Sequence, residues 1–166
     1  MIYFLSDAHL GSRAIDNPIA HQQTVISMLN EMEKDATAIY LLGDIFDFWC
    51  EYFWSDRSKE QYRPILDKLK SLTNKGIQLH FFIGNHDIWC GDYLEKECGV
   101  IIHRKPMTCE IYGKEFYLAH GDGLGDKDWK FKLIRSMFHS KTLQRLFSML
   151  HPRWSVDFGL AWAKHS

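Results

Sequence analysis

Four short apolar segments, each followed at once by residues that can bind a metal ion, constrain the fold of this chain most strongly. The run Ala38–Leu42 is long enough for one buried strand and too short for a helix, and it leads into Gly43 and Asp44. Three similar runs lead into Asp7-Ala8-His9, Gly84-Asn85-His86-Asp87 and His120-Gly121-Asp122. Ligands of open α/β sheets bind beyond the carboxyl ends of the strands. The repetition therefore predicts an α/β fold with one site at that edge.

Two of these motifs allow a reading from local geometry. Gly43 permits a sharp turn that would project Asp44 into the crevice. Taken alone, Gly-Asp-x-x-Asp is equally typical of a strand-to-helix turn with a capping aspartate. Asp7 and His9 are separated by one residue, so in an extended segment both side chains would point to the same side. The spacing therefore predicts two ligands for one ion.

The ligand types indicate a two-metal hydrolase. A carboxylate shared between two divalent ions about 3.5–4 Å apart is the usual core of such a site. Mixed oxygen and nitrogen ligands without a thiolate favour Mn²⁺, Fe or Zn²⁺ over copper and accept Mg²⁺ less readily. Of these we expect Mn²⁺. The predicted ligands of one ion are Asp7, His9 and Asp44, and those of the other are Asp44, Asn85 and His120.

Other polar and aromatic residues near the motifs are candidates for catalysis and substrate binding. His86 is expected to act as a general acid or to stabilise charge, and Asp47 is expected to orient it. The aromatic residues 48–54 and Trp89 predict either an apolar wall for a substrate or a hydrophobic plug beneath the site. The candidate substrate contacts are Trp49, Trp89, Asp122 and Lys164.

The remaining pattern predicts helices over 19–34, 58–75 and 93–98 and a hairpin of strands 108–112 and 115–119 across Gly113-Lys114. The first helix should bury Val25, Met28, Leu29 and Met32 and leave His21 on the surface, away from the motifs. His80 and His103 are expected to be structural.

Composition indicates a soluble globular chain of one domain, with 46% hydrophobic and 25% charged residues. The sequence has no apolar run of about 20 residues, which would be needed to span a bilayer, and no N-terminal signal peptide. The four cysteines form no C-x-x-C pair and are therefore expected to be reduced thiols in the cytoplasm.

The segment 127–166 has eight Lys or Arg against two Asp, a net +6, which leaves −7 on the first 126 residues. Its amphipathic helices at 129–150 and 154–164 would cover the site, lie on an anionic membrane or pack as core.

The ordered motifs Asp-x-His, Gly-Asp-x-x-Asp, Gly-Asn-His-Asp and a later His resemble those of the calcineurin-like metallophosphoesterase family. The resemblance implies a four-layer α/β/β/α sandwich and the two ligand sets given above. It divides the chain into a core, 1–126, and a helical insert or lid, 127–166. The family also carries a Gly-His-x-His motif that this sequence lacks, so we expect a truncated chain that ends before the closing strands and has an incomplete site.

Within the family, the motifs at 6–11, 43–49 and 120–123 look most like those of the UDP-2,3-diacylglucosamine pyrophosphohydrolases of lipid A synthesis. The resemblance implies a nucleotide-sugar lipid substrate, release of UMP and the diacylated sugar 1-phosphate, and a peripheral position on the cytoplasmic face of the inner membrane, with no nucleic-acid partner. The better-known branch carries Arg where this chain has His86. The alternatives are a generic phosphodiesterase, nuclease or protein phosphatase, and an inactive metal-binding fragment. The oligomeric state is left open.

Overall fold

A parallel sheet forms the centre of the part of the chain that the computed structural model describes, namely residues 1–49, 51, 59–87 and 89–121. Its strands lie side by side in sequence order and all pair in parallel. They are β1 (Ile2–Leu5), β2 (Ala38–Leu42), β3 (Gln78–Phe82) and β4 (Ile101–His103). The carboxyl ends of the strands consequently meet at one edge, as the strand-end motifs predict.

Within the described residues, three helices connect the strands, and the sequence explains one end of each. Helix α1 (Pro18–Met32) begins with the Asn17 side chain accepting the Ala20 N–H at 3.0 Å. The helix predicted over 58–75 is interrupted, since residues 59–60 are helical, 61–62 form a turn and helix α2 (Arg63–Asn74) follows. Pro64 lacks the N–H that a continuing helix would need and is tolerated only in a first turn. Helix α3 (Tyr93–Cys98) ends at Gly99, whose φ of 67° closes it in the left-handed conformation.

The sheet buries a different cluster on each face. Ile39, Leu41, Leu79 and Phe81 pack with the helices, and Ala38, Tyr40 and Phe82 pack with a hairpin. The strand β2 has almost no exposed residue, as expected of a parallel strand covered on both faces. The described elements thus form helix, sheet and hairpin layers, which confirms the predicted α/β class.

The hairpin consists of β5 (Met107–Ile111) and β6 (Lys114–Leu118). Its turn is Tyr112-Gly113, one residue earlier than predicted. Both turn residues have positive φ, 51° and 74°, as a two-residue type I′ turn requires. The hairpin matters for the site because β6 leads directly to His120.

The burial predicted for α1 is confirmed only in part. On α1, Val25 and Leu29 are buried as expected, but Met28 is 42% exposed because the inward stripe runs through Gln22 instead.

The predicted helices at 129–150 and 154–164 lie outside the described residues. Among the described helices, none is long and apolar enough to cross a bilayer. Cys90, Cys98 and Cys109 are free thiols.

A candidate metal centre at the edge of the sheet

Asp44 lies at the centre of the strand-end motifs. The chain turns sharply after β2, with φ of 88° at Gly43 and 53° at Asp44, and the Asp44 side chain is buried. Glycine is required at two places around it. A Cβ on Gly43 would lie 2.6 Å from Nδ1 of His120, and one on Gly84 would lie 2.1 Å from Oδ1 of Asp44. The two glycines therefore allow the loops after β2 and β3 and His120 to approach one another.

The Asp7-Ala8-His9 segment reaches the same place by a different backbone route from the one predicted. Asp7 and His9 both have left-handed φ, 54° and 44°, so the segment is not extended and the period-two argument for it is wrong. Their side chains nevertheless converge, with His9 Nε2 3.9 Å from Asp7 Oδ1. Backbone hydrogen bonds to the loop after β2 hold this conformation: Asp7 N to Gly43 O, His9 N to Asp44 O and Leu10 N to Ile45 O.

The loop after β3 brings a backbone donor and a polar side chain to the centre around Asp44. The backbone N–H of His86 donates to Asp44 Oδ1 at 2.9 Å. The Oδ1 atom of Asn85 lies 3.0 Å from Nε2 of His120, which in turn lies 3.2 Å from Oδ2 of Asp44. These side chains come from three separate strand ends, and the structure brings them together as the ligand list for the second ion predicts.

The hydrogen bonds of three imidazoles determine which nitrogen faces the centre. Nδ1 of His120 is 2.9 Å from Leu42 O, and Nδ1 of His86 is 2.9 Å from the main-chain oxygen of Asp47. Carbonyl oxygens only accept, so both Nδ1 atoms donate. Nδ1 of His9 likewise donates to the Asp47 carboxylate at 3.2 Å. A neutral ring would then present the Nε2 lone pair that a metal ligand requires, and a protonated ring would present an Nε2–H donor.

The charges of the centre are coupled. Burial acts to raise the pKa of Asp44, but hydrogen bonds from His120 and from the His86 backbone outweigh it and lower the pKa. The pKa of Asp47 is also lowered, because its contacts with His86 and His9 outweigh burial. The pKa of His86 is raised, chiefly by the Asp47 carboxylate 3.5 Å away. These shifts favour the anionic form of both aspartates and the cationic form of His86.

The donor set fits divalent cations. Among the residues that the structure describes, two groups of side chains offer ligand atoms within 4.8 Å of one another: Asp7, Asp44 and His120, and His9, Asp44 and His86. Asp44 belongs to both groups, as expected of a bridging ligand, and the pairings differ from those that the sequence predicts. In the neutral form of His120, its Nε2, Asp44 Oδ2 and Asn85 Oδ1 are three acceptors facing each other, an arrangement that a cation stabilises. The metal roles of Asp7, His9, Asp44, Asn85 and His120 remain predictions.

Sequence reasoning missed two residues at this edge. Asp87 is completely buried and accepts the backbone N–H groups of Gly84 at 2.6 Å and Ile45 at 3.1 Å. Burial raises the pKa of Asp87 to about 7, although both hydrogen bonds act to lower it. The expectation that His21 lies on the surface away from the motifs is wrong, since its Nε2 contacts Ala8 O at 2.6 Å. Its position four residues before Val25, on the inward stripe of α1, was the available signal.

The four candidate substrate contacts have different positions. Trp49 is 0% exposed and packs on Phe46 and Tyr62, the arrangement expected of the hydrophobic plug. Trp89 is buried and has its ring centroid 6.3 Å from that of Phe48. Asp122 and Lys164 lie outside the described residues. Substrate contact by any of the four stays a prediction.

Comparisons with known proteins agree with this geometry. The family model described as calcineurin-like phosphoesterase matches residues 1–165. A protein of Porphyromonas gingivalis named UDP-2,3-diacylglucosamine hydrolase is 39% identical over 97% of this chain and 60% of its own length. Proteins of the same name from Haemophilus influenzae and Neisseria meningitidis serogroup A are 32% and 30% identical over 89% and 92% of this chain. This chain spans 60% and 61% of their lengths.

Proposed function

The chain belongs to the calcineurin-like phosphoesterase family, and on that premise we propose that it is part of a metal-dependent hydrolase. The proposed reaction converts UDP-2,3-diacylglucosamine and water to 2,3-diacylglucosamine 1-phosphate and UMP, a step of lipid A synthesis. The observation that carries the metal-dependent chemistry is the position of Asp44, in contact with polar groups from three other strand-end motifs. The names of the relatives support the choice of substrate.

We propose that Asp7, His9 and Asp44 hold one divalent ion and that Asp44, Asn85 and His120 hold the second. Mn²⁺ is the proposed ion, with Fe, Zn²⁺ or Mg²⁺ as the alternatives, since carboxylate, amide and imidazole donors suit such ions and the described site offers no thiolate. Divalent ions supply Lewis-acid activation of water and neutralise phosphoryl charge. The protein contributes fixed donors: the main-chain bond from His120 to Leu42 O keeps its Nε2 directed at the centre.

His86 is the proposed catalytic group that faces the substrate. Its Nδ1 is held by the main-chain oxygen of Asp47, and its Nε2 lies 4.0 Å from Asp44 Oδ2. Because its pKa is raised, a larger share of His86 is protonated at neutral pH than of an ordinary histidine. A cationic imidazole at this position would donate a hydrogen bond to phosphoryl oxygen as negative charge develops. Asp47 positions the ring and also holds His9.

The basic, aromatic segment 127–164 is the proposed contact with lipid. Its eight Lys or Arg suit phosphate groups, either of the substrate or of an anionic membrane face. Each such residue near a charged membrane surface contributes about 1 kcal/mol to binding. Its aromatic residues would receive acyl chains, at about 0.8 kcal/mol per buried methylene. On this reading the protein is peripheral to the cytoplasmic face of the inner membrane.

A substrate comparison with Mn²⁺ tests the proposal in the gene product that contains this chain. UDP-2,3-diacylglucosamine and a small chromogenic phosphodiester are assayed side by side, with UMP identified by mass spectrometry. Replacing Trp129, Phe138, Phe147 and Trp154 by Ala should reduce kcat/KM much more for the diacylated substrate than for the small one. Equal losses would reduce the assignment to a generic phosphoesterase. Failure to release UMP from the diacylated nucleotide would refute the proposed reaction.

A further inference from the structure

The loop that carries Asp7 and His9 holds an uncommon backbone conformation. Both residues have positive φ, a region that residues with a Cβ rarely adopt. The N–H groups of Asp7, His9 and Leu10 are accounted for by bonds to the loop after β2. The carbonyl between the two candidate ligands, that of the buried Ala8, can only accept a hydrogen bond and therefore needs a donor.

His21 supplies that partner from helix α1. Its Nε2 lies 2.6 Å from Ala8 O, and since a carbonyl can only accept, Nε2 is the protonated nitrogen. The first turn of the helix is fixed by the Asn17 cap, and Val25, one turn further along the same face, is buried in the core. The donor therefore comes from a well-packed element and not from another loop.

We propose that His21 is a positioning residue for the metal centre. Its bond fixes the peptide group between Ala8 and His9, and rotation of that group changes ψ of Ala8 and φ of His9 together. Loss of the donor would favour rotation of the buried carbonyl toward water, and the imidazole of His9 would move with it. This inference rests on the proposed metal roles of Asp7 and His9.

Three variants separate positioning from general stability. His21→Leu removes the donor, and His21→Gln keeps a side-chain N–H of similar reach. Gln22→Leu is the matched control, because the neighbouring Gln22 is buried and also donates from its side chain to a backbone oxygen, that of Gln61 at 2.9 Å. Urea unfolding of the metal-free proteins measures how far each Leu variant is destabilised.

Mn²⁺ titration followed by electron paramagnetic resonance is the first readout. We expect His21→Leu to weaken the binding of one ion by about 10- to 100-fold, the range typical of groups that orient metal ligands. His21→Gln should recover most of that affinity, and Gln22→Leu should bind as the wild type does. Equal weakening in the two Leu variants, or wild-type binding in His21→Leu, would overturn the proposal.

Amide hydrogen exchange in the metal-free protein is the second readout and does not depend on the metal. His21→Leu should speed exchange at His9 and Leu10 relative to Gln22→Leu, and His21→Gln should restore slow exchange. If the wild type binds no Mn²⁺, the metal roles fail, yet the exchange data still decide whether His21 fixes the loop. Unchanged exchange at both amides in His21→Leu would exclude the positioning role.

Discussion

The carboxylate of Asp87 accepts the backbone N–H of Ile45 at 3.1 Å, so a fully buried acid joins the loop after β3 to the loop after β2. Its other oxygen accepts the N–H of Gly84 at 2.6 Å. Neither donor has access to water in this arrangement, and both belong to loops that carry candidate ligands. The acid at the end of Gly-Asn-His-Asp thus connects the two halves of the centre.

Replacing Asp87 by Ala should destabilise the protein strongly. Each buried N–H left without an acceptor costs about 1–3 kcal/mol. Asp87→Asn should be less damaging, because its one oxygen still accepts from one of the two donors. Urea unfolding measures the loss, with Asp92→Ala as the control, since Asp92 is exposed and forms a surface ion pair with Lys96 on α3. Comparable destabilisation of all three variants would contradict the assigned role.

Asp44→Ala should abolish hydrolysis and reduce bound metal together. Both proposed ions lose a ligand, and His86 N–H loses its acceptor. Elemental analysis of the purified protein gives the metal content, and hydrolysis of a chromogenic phosphodiester gives the activity. Asp67→Ala, an exposed change on α2, serves as the control. Hydrolysis near the wild-type rate in Asp44→Ala would rule out the two-metal interpretation.

Gly43→Ala and Gly76→Ala form a matched pair. The two glycines have nearly the same φ, 88° and 85°, so both substitutions carry the same left-handed strain of about 1–2 kcal/mol. Only at Gly43 does the new methyl meet a side chain, the imidazole of His120, whereas the space at Gly76 is open. We expect Gly43→Ala to be the less stable and to lose Mn²⁺ affinity in calorimetry. Equal effects of the two changes would show that His120 moves aside freely.

Acid should destabilise the protein through His80 and His103. These rings stack on Tyr40 and Phe82, with Nδ1 of His80 2.9 Å from Nε2 of His103, and burial lowers the pKa of both. A histidine with a lowered pKa resists protonation only when folded. Its contribution to stability is present above the unfolded pKa of about 6.5 and is lost as the pH falls through the folded value.

The measurement is the urea midpoint at about pH 7.5 and about pH 5.5, on either side of the ordinary histidine pKa. The double variant His80→Phe, His103→Phe should show a smaller decrease than the wild type. His86 contributes with the opposite sign because its pKa is raised, but it is present in both proteins and cancels from the comparison. An identical decrease of the urea midpoint in the two proteins would show that His80 and His103 do not contribute to the pH dependence of stability.

The strands and the meeting point of the motifs were predictable because apolar runs of five residues have one plausible structure and parallel strands share an edge. The convergence of Asp44 and Asn85 follows from that topology, whereas His120 reaches the same edge from β6 of the hairpin, which is not part of the parallel sheet. The left-handed φ at Asp7 and His9 was not predictable, because even Asp and His, which adopt it more often than other residues with a Cβ, do so rarely. Its stabilising bonds also come from the loop after β2, which is distant in the sequence. Asp87 was missed for a related reason, as its acceptor role depends on Ile45, 42 residues earlier.

The bonds from Asp7 N to Gly43 O and from His9 N to Asp44 O have a consequence for how the sheet aligns itself. A slip of one residue between β2 and β1 would move each β2 side chain to the opposite face of the sheet. Because β2 is buried on both faces, this exchange alone would disfavour the slip only weakly. Such a slip would displace Asp7 along the strand by about 3.3 Å and break both bonds. The residues proposed to bind metal therefore also fix the register of β1 against β2. Substitutions at this edge should be examined for mispaired strands as well as for lost activity.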